Sequence, residues 1–235
     1  MKFEQTEVWG FEHAIRGMRN PLESWDKSDS GYINGKFDVG PKDIDLMMRL
    51  SKEGGANRKF LRQIMVSVDI TAGIFWWKEF DTYKIGTVAN STSTMHKLAS
   101  TPISEECFET DDMDRNLVIG TIDGPDKDNP ISIRTDTYVN QVVIPWLEII
   151  RQQYLKTGDK RYWKELIRWL PESWLQKRTV TMNYEVLFNI CQKTQRRNHK
   201  LTEWSKKFIG WARTLPYAQE LLFPDEIEEC ATVTQ

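Results

Sequence analysis

Two polar segments carry the residue types from which phosphate sites are usually built. The first spans residues 90–97 and reads NSTSTMHK, with four consecutive hydroxyl side chains. Hydroxyls and exposed backbone N–H groups beside a helix start bind phosphate well. This segment therefore supplies the first predicted phosphate-binding residues, which would hold the phosphate of a nucleotide if the ligand is one: Asn90, Ser91, Thr92, Ser93 and Thr94. The alternative, which composition alone favours, is an ordinary Ser/Thr loop that caps a helix.

The second segment spans residues 193–200 and reads KTQRRNHK, between two predicted helices. Its guanidinium groups, on Arg196 and Arg197, are suited to bidentate recognition of a phosphate or a nucleobase edge. Lys177 and Arg178, a few residues after Trp174, could add cations to the same site. The alternative is a solvated charged turn, which is the better interpretation when the segment is taken alone.

Other chemistries find no support in the sequence. The three histidines lie far apart without an HxH or HExxH spacing, so we predict no metal site. No GxGxxG, GxxxxGK or GxSxG motif occurs. The three cysteines form no CxxC pair, which is typical of a reducing, cytoplasmic location.

Charge and hydropathy limit the partners. The 32 basic and 34 acidic residues give a net charge of −2, which argues against a nucleic-acid partner. No apolar run reaches the length of a membrane span, and the first ten residues lack the apolar core of a signal peptide. We therefore expect a small ligand and no membrane partner.

Periodicity predicts the elements that must position these residues. A strand is expected over residues 63–71, because Ile64, Val66, Val68 and Ile70 alternate with Met65, Ser67, Asp69 and Thr71; we expect it to be broken at Ala72-Gly73. Helices are predicted over residues 41–53, 74–86, 138–155, 161–170, 181–194 and 201–215, and a hairpin over 117–135 around the turn DGPDKDNP. The expected class is α/β or α+β, helix-dominated, with an N-terminal extension at 1–40 and a single domain at 41–235.

The chain has ten tryptophans, enough for an aromatic core or a platform for planar ligands. Five fall within predicted helices and are assigned to packing: Trp146, Trp163, Trp169, Trp204 and Trp211. Trp76 and Trp77 lie on the predicted 74–86 helix, and Trp174 lies close to Lys177 and Arg178; these three are candidates for stacking on a planar ligand.

Three blocks of the chain follow one another in a recognisable order. The first is the strand and helix QIMVSVDITAGIFWWKEF. The second is Thr82-Tyr83-Lys84, followed after seven residues by Thr92. The third is LPESWLQKRTVTMNYEVLFNI with NHKLTEW. Together they resemble the flavin-dependent thymidylate synthase (ThyX) family, which has Arg-His-Arg, seven residues and Ser at the second block; the matching points of the third include Asn183 and His199. The similarity covers residues 43–222 by order of elements.

The resemblance implies a ThyX-like fold with a central twisted sheet, a homotetramer, and sites formed between subunits. It implies FAD and dUMP as ligands, with NADPH and methylenetetrahydrofolate as co-substrates for making dTMP. The cofactor-binding residues that follow from it are Lys78, Tyr83, Asn183 and His199, and the nucleotide-binding residues include Lys84. The family's signature is nevertheless replaced here, and the arginine expected two places after Asn183 is Glu185.

These observations support hypotheses of different classes. The first is a flavin-dependent enzyme that methylates a pyrimidine nucleotide. The second is a catalytically inactive relative that binds and sequesters a nucleotide or cyclic-nucleotide signal, for instance a phage-borne antagonist acting in the host cytoplasm. The third and weakest is a structural homo-oligomer without a ligand.

Overall fold

A computed structural model describes residues 1–123 and 131–227 of the chain. The turn predicted within residues 124–130 lies outside the described residues. The chain divides into two compact units. Unit 1 comprises Met1–Ile70, Phe80–Asn90 and the chain from Arg178 onward, and unit 2 comprises Thr71–Glu79 and Ser91–Lys177. The division into an extension at 1–40 and a domain at 41–235 stays a prediction. The first strand of the chain, at Lys2–Trp9, lies within the predicted extension and belongs to the four-stranded sheet.

The N-terminal part of the chain forms, in order, β1 (Lys2–Trp9), α1 (Phe11–Arg19), β2 (Gly31–Ile33), β3 (Lys36–Asp38), α2 (Pro41–Glu53) and β4 (Met65–Gly73). A 3-10 segment at Gly55–Gln63 precedes β4 and contacts α1 and α2. The helix predicted from Pro41 is confirmed.

The middle of the chain forms α3 (Ile74–Phe80), β5 (Thr87–Ser91), α4 (Thr94–Lys97), β6 (Val118–Ile122) and β7 (Ile131–Arg134). The second half forms α5 (Thr135–Tyr138), α6 (Ile144–Thr157), α7 (Lys160–Arg168), β8 (Leu175–Asn183), α8 (Tyr184–Ile190), α9 (Ile209–Ala212) and α10 (Ala218–Leu221). The main sheet has the strand order β1-β4-β8-β5, and two hairpins, β2-β3 and β6-β7, form separate sheets. The chain is a mixed α/β protein that is 53% helical, as the sequence predicted.

Strand β4 confirms the predicted alternation. Val66, Val68 and Ile70 are buried, whereas Met65 and the other alternate side chains remain partly exposed. The predicted break at Ala72-Gly73 is wrong, because the strand continues through Gly73 and α3 begins at the next residue.

Two helix boundaries also differ from expectation. The helix predicted over 74–86 ends at Phe80, because residues 81–86 form turns that lead into β5. The helix predicted from residue 181 begins at Tyr184, because residues 181–183 complete β8 with Val180 and Met182 buried.

The helical run from Thr135 to Thr157 confirms the predicted helix over 138–155 and contains a π turn at Val139–Val143. Proline at position 145 has no N–H to donate, and its ring would crowd the carbonyl four residues earlier. A wider turn directly before Pro145 accommodates both effects.

Each unit has its own core. In unit 2, Leu147 and Leu166 join α6 to α7, and Phe108 meets Trp174 edge to face with ring centroids 5.5 Å apart. In unit 1, the predicted stripe on residues 201–215 is buried through Trp204 and Phe208, whose rings lie 5.2 Å apart.

The tryptophans divide differently from the prediction. Trp76, Trp77 and Trp174 are buried, so the prediction that they stack on a ligand is wrong. Trp204 and Trp211 are buried as predicted, and Trp163, half-buried, donates to the carbonyl of Met95 at 3.0 Å. Trp146 and Trp169, assigned to packing, are instead 41% and 52% exposed and contact each other.

Candidate functional site

A glycine turn in unit 1 places the replaced signature residues. Gly86 has φ +76°, and a Cβ atom there would lie 2.6 Å from Nδ2 of Asn183, so only glycine fits. Asn183 is the N-cap of α8, since its Oδ1 accepts a hydrogen bond from the Val186 N–H at 3.0 Å. The Asn183 side chain therefore packs directly against the backbone of Gly86, and this contact fixes the conformation of the backbone between Lys84 and Thr87.

The same turn forms one wall of a cavity of about 380 Å³ within unit 1. Its lining residues are Phe80, Asp81, Tyr83, Lys84, Thr87, Ala89 and Arg178. We call it the cationic cavity, because Lys84 and Arg178 outnumber the one carboxylate, Asp81. Arg178 is largely buried and donates to Asp81 at 2.7 Å.

The hydroxyl of Thr87 is an unusual feature of this cavity. Its Oγ1 is buried and has no hydrogen-bond partner among the described residues. A buried hydroxyl without a partner costs free energy, and bound water or ligand commonly satisfies such a group. Together with the two cations, Thr87 makes the cavity suited to a small anion with acceptor oxygens, such as a phosphate.

A second group of predicted residues meets at Tyr83. Nε of Arg196 donates to the Tyr83 hydroxyl at 2.9 Å, and its Nη1 lies 3.1 Å from Nε2 of His199. The guanidinium also lies over the ring of Trp204, 4.6 Å from the centroid. The fold therefore brings Tyr83, Arg196 and His199 together, and their role in binding a ligand stays a prediction.

Arg197 has a different environment from its neighbour. It is buried, and its guanidinium donates to the Cys191 carbonyl at 2.7 Å and to the carboxylate of Asp225 at 2.8 and 2.9 Å. Glu226 accepts from it as well. Burial is the largest single influence and raises the pKa of Asp225, but hydrogen bonding to Arg197 and the charges of Arg197 and Lys193 together leave the pKa lowered. The alternative of a solvated turn is thus wrong for Arg197, whose charge is taken up inside the protein.

Glu185 also has a cationic partner that the sequence did not indicate. Arg62 donates through Nε and Nη2 to both carboxylate oxygens of Glu185 within unit 1. Where the resemblance leads one to expect an arginine, this chain therefore has a carboxylate that holds an arginine from another segment.

The remaining predicted residues lie mainly in unit 2. Ser93 caps α4, accepting from the His96 N–H at 3.2 Å, which confirms the capping interpretation for this residue. The Thr92 N–H donates to the Lys177 carbonyl at 2.9 Å, so these two segments adjoin. Lys78 forms an ion pair with Glu172. Asn90, Ser91 and Thr92 are exposed, and Thr94 is half-buried.

Some residues that build these sites were missed from the sequence. Asp81 and Thr87 lie on either side of Thr82-Tyr83-Lys84, and their polar side chains close to Lys84 in the sequence could have indicated that they belong to the same site. Arg62, Asp225 and Glu226 gave no signal, because each meets its partner only through the tertiary fold.

Comparison with known proteins identifies the fold. The flavin-dependent thymidylate synthase ThyX from Helicobacter pylori, complexed with FAD and dUMP, is 18% identical with a TM-score of 0.63, covering 96% of this chain and 99% of that chain. A second crystal structure of the Helicobacter pylori enzyme is 19% identical with a TM-score of 0.59, covering 93% and 95%. The UMP/dUMP methylase PolB from Streptomyces cacaoi, bound with 5-Br dUMP, is 16% identical with a TM-score of 0.55, covering 95% and 94%.

The chain therefore has a ThyX-like fold, and the fold inferred from the sequence is confirmed. It matches no protein-family model and no curated protein. Among residues 1–123 and 131–227, no helix is long and apolar enough to cross a membrane. Over the same ranges, no three His, Cys, Asp or Glu side chains are grouped as a metal site would require.

Proposed function

We propose that this chain binds a nucleotide and that the cationic cavity receives its phosphate. One observation carries the proposal: Lys84, Arg178 and Thr87 line the same cavity of unit 1, and the buried Thr87 hydroxyl has no hydrogen-bond partner among the described residues. The similar proteins support it, because they are a ThyX with FAD and dUMP and a UMP/dUMP methylase with a brominated nucleotide. Two cations against Asp81 leave one net positive charge for the phosphate.

The finer proposal from the resemblance is flavin-dependent methylation of a pyrimidine nucleotide, of the dUMP to dTMP class. FAD, once reduced by NADPH, would supply the hydride, and methylenetetrahydrofolate would supply the carbon of the new methyl group. Tyr83, Asn183 and His199 of unit 1 would hold the flavin, whereas Lys78, which the resemblance also implied, belongs to unit 2. Arg196 would be the cation beside the flavin, because its guanidinium lies 5.6 Å from the centroid of the Tyr83 ring and 4.6 Å from that of the Trp204 ring.

A second candidate is binding without turnover. FAD carries two phosphates, and the predicted cations Lys78 and Arg197 are engaged by Glu172 and by Asp225 with Glu226. Glu185 adds a carboxylate where the resemblance has an arginine. Each missing charge-assisted bond weakens phosphate binding by about 1.5–3 kcal/mol. The residues therefore fit one phosphate better than a dinucleotide, which favours this candidate.

We further propose a homo-oligomer, with a tetramer as the expected form. Val142, Trp146 and Ile149 recur at steps of four and three along the helical run of unit 2, and all three are exposed. Trp169 adjoins Trp146 with ring centroids 5.7 Å apart. An exposed apolar stripe of this kind commonly marks a protein interface, and a second copy of this chain is the proposed occupant.

Nucleotide binding is tested by calorimetric titration with dUMP, UMP and FAD on the wild type, Lys84→Ala and the control Lys200→Ala. Lys200 is exposed and does not line the cavity. We expect dUMP or UMP to bind and Lys84→Ala to weaken binding about 10- to 100-fold, the loss of one charge-assisted bond. Lys200→Ala should bind as the wild type does. If no nucleotide binds, or Lys84→Ala binds normally, the proposed site is wrong.

The two candidate activities are separated by incubating the protein with dUMP, FAD, NADPH and methylenetetrahydrofolate. A methylated nucleotide in the mass spectrum supports the enzyme, as does flavin absorbance retained after gel filtration. Nucleotide recovered unchanged, from a protein that binds it and retains no flavin, supports binding without turnover.

A further inference from the structure

A second cavity of unit 1, about 540 Å³ in volume, is lined by three aromatic rings. Trp25 lies on a 3-10 turn, and Tyr32 and Phe37 lie on the hairpin of β2 and β3. Glu12 and Arg16 of α1 complete its rim. We call it the aromatic cleft. It shares no lining residue with the cationic cavity, and the proposed function does not use it.

The hairpin places two of the rings directly opposite each other. Asn34 and Gly35 have φ of +51° and +79°, as a two-residue turn with both central residues in the left-handed region requires. The register pairs Tyr32 with Phe37, and their rings meet edge to face with centroids 5.3 Å apart. Local backbone geometry therefore fixes this wall of the cleft.

The polar ends of the exposed rings are already bonded to α1 or the segment that follows it. The Tyr32 hydroxyl donates to Glu12 at 2.9 Å, and Nε1 of Trp25 donates to Oδ1 of Asn20 at 2.9 Å. The two residues nevertheless remain 66% and 50% exposed. Because their polar atoms hold them in place, what they offer to a ligand is their ring faces.

A buried ion pair supports the loop that carries Trp25. Arg19, 5% exposed, donates to Asp43 at 2.7 Å and to the carbonyls of Ser24 and Lys27 on that loop. The hydroxyls of Ser28 and Ser30 also donate to Asp43, each at 2.6 Å. The loop is therefore anchored on both sides of Trp25, and Asp43 offsets the charge of Arg19.

We infer that the aromatic cleft binds a small molecule through a planar heteroaromatic ring, stacked on Trp25 or Tyr32. Ring faces attract flat π-systems, and the volume is within the usual range of small-molecule sites, about 300–1,000 Å³. Glu12 accepts hydrogen bonds and Arg16 donates them, which suits a ring with both donors and acceptors, as in a nucleobase. Arg16 opposes a cationic ligand such as a quaternary ammonium, although three rings alone would suit one.

The test uses probes without phosphate, so that Lys84 and Arg178 of the cationic cavity have no phosphate to bind. Adenosine, guanosine, uridine and riboflavin are the heteroaromatic probes. Indole is a control that has a planar ring but lacks their hydrogen-bonding edge, and tetramethylammonium is a control for cation binding. Binding is measured by calorimetry. We expect at least one of the four heteroaromatic probes to bind more tightly than indole, and tetramethylammonium not to compete with it.

Variants assign that binding to the cleft. Trp25→Ala and Tyr32→Ala remove exposed ring faces, and one or both should weaken the bound probe about 5- to 100-fold, the effect of removing one stacking platform. Lys84→Ala should leave the affinity unchanged. The control Trp9→Ala removes another exposed tryptophan, which does not line the cleft, and should also leave it unchanged.

Several results would overturn the inference. They are failure of all four heteroaromatic probes to bind, displacement by tetramethylammonium, or equal losses in Trp9→Ala and Trp25→Ala. A fall in the mass of the assembly on Tyr32→Ala, measured by sedimentation, would also overturn it, because the cleft would then be an interface between copies. Since Tyr32 is largely exposed, its replacement leaves the fold intact and the comparison valid even if Trp25→Ala unfolds.

Discussion

Replacing Glu148 by glutamine should destabilise unit 2 in a pH-dependent way. The Glu148 carboxylate accepts from Arg151 at 2.7 and 2.6 Å and from the Ile103 N–H at 2.9 Å. Arg151 is buried and also donates to the Ala99 carbonyl at 2.8 Å. One carboxylate therefore joins α6 to the segment around residues 99–103, and its loss leaves a buried guanidinium without its counter-charge.

The magnitude follows from the carboxyl's own titration. Hydrogen bonding to Arg151, above all, lowers the pKa of Glu148 from an ordinary 4.5 to about 2. At about 1.4 kcal/mol per pKa unit, this difference contributes about 3 kcal/mol to the free energy of unfolding at pH 7. Because the folded-state pKa is the lower one, the contribution is complete above the unfolded-state pKa and is lost as pH falls toward 2. At pH 3 about 1.4 kcal/mol remains.

Urea denaturation of the wild type and Glu148→Gln at pH 7, 5 and 3 measures this contribution. The two proteins should differ by about 3 kcal/mol at pH 7 and by less than half of that at pH 3. Glu165→Gln is a matched control, because Glu165 pairs with Arg168 at the same i, i+3 spacing but at an exposed site. It should cost at most about 1 kcal/mol. A difference for Glu148→Gln that stays constant with pH, or that equals the control, would refute the reasoning.

Two further outcomes test the turn at the cationic cavity and the apolar stripe. Gly86→Ala places a Cβ atom 2.6 Å from the Asn183 amide at φ +76°, so it should lower stability by more than Gly158→Ala, which has φ +67° and open space. The free energy of unfolding of the control Gly158→Ala should fall by about 1–2 kcal/mol from backbone strain alone. Equal losses for the two variants in urea denaturation would contradict the contact between Gly86 and the Asn183 cap. For the apolar stripe, Trp146→Glu should reduce the mass of the assembly in sedimentation, whereas Leu22→Glu, on an exposed side chain of unit 1, should not. A monomeric wild type, or an unchanged mass in Trp146→Glu, would contradict the proposed interface.

Local patterns in the sequence predicted the regular elements well. Strand β4 was recognised because one face of it is buried, so apolar side chains recur at every second residue. The hairpin of β2 and β3 was missed although Asn34-Gly35 is a strong local turn signal. The helix start at Tyr184 was placed three residues too early, because Asn183 as an N-cap was overlooked in an apolar stretch.

The sites were less predictable because their contacts join distant parts of the chain. Arg196 and Arg197 are adjacent and identical in type, yet one lies over Trp204 and the other is bound by Asp225, 28 residues away. Successive positions in a helical turn point in different directions, so two neighbouring arginines have different surroundings. Which of the two arginines pairs with a carboxylate depends on which residues from later in the chain pack against the segment. The spacing of residues within the segment does not indicate this.

Two arginines of unit 1 are engaged by carboxylates of the same unit. In unit 1, Arg62 with Glu185 and Arg197 with Asp225 are internal pairs close to α8 and its following turn. An arginine used in this way stabilises the protein and is not available to an anionic ligand, because its donors are already directed at a carboxylate. Lys84, exposed on the glycine turn, has a different environment, and Thr87 beside it has a hydroxyl without a partner in the described chain. A ligand phosphate at this point would gain a cation and satisfy a buried hydroxyl without breaking an internal pair. Binding the phosphate at Arg197 would require breaking its ion pair with Asp225, whereas binding at Lys84 breaks no such pair. This is the physical reason to expect the nucleotide at Lys84 and not at Arg197.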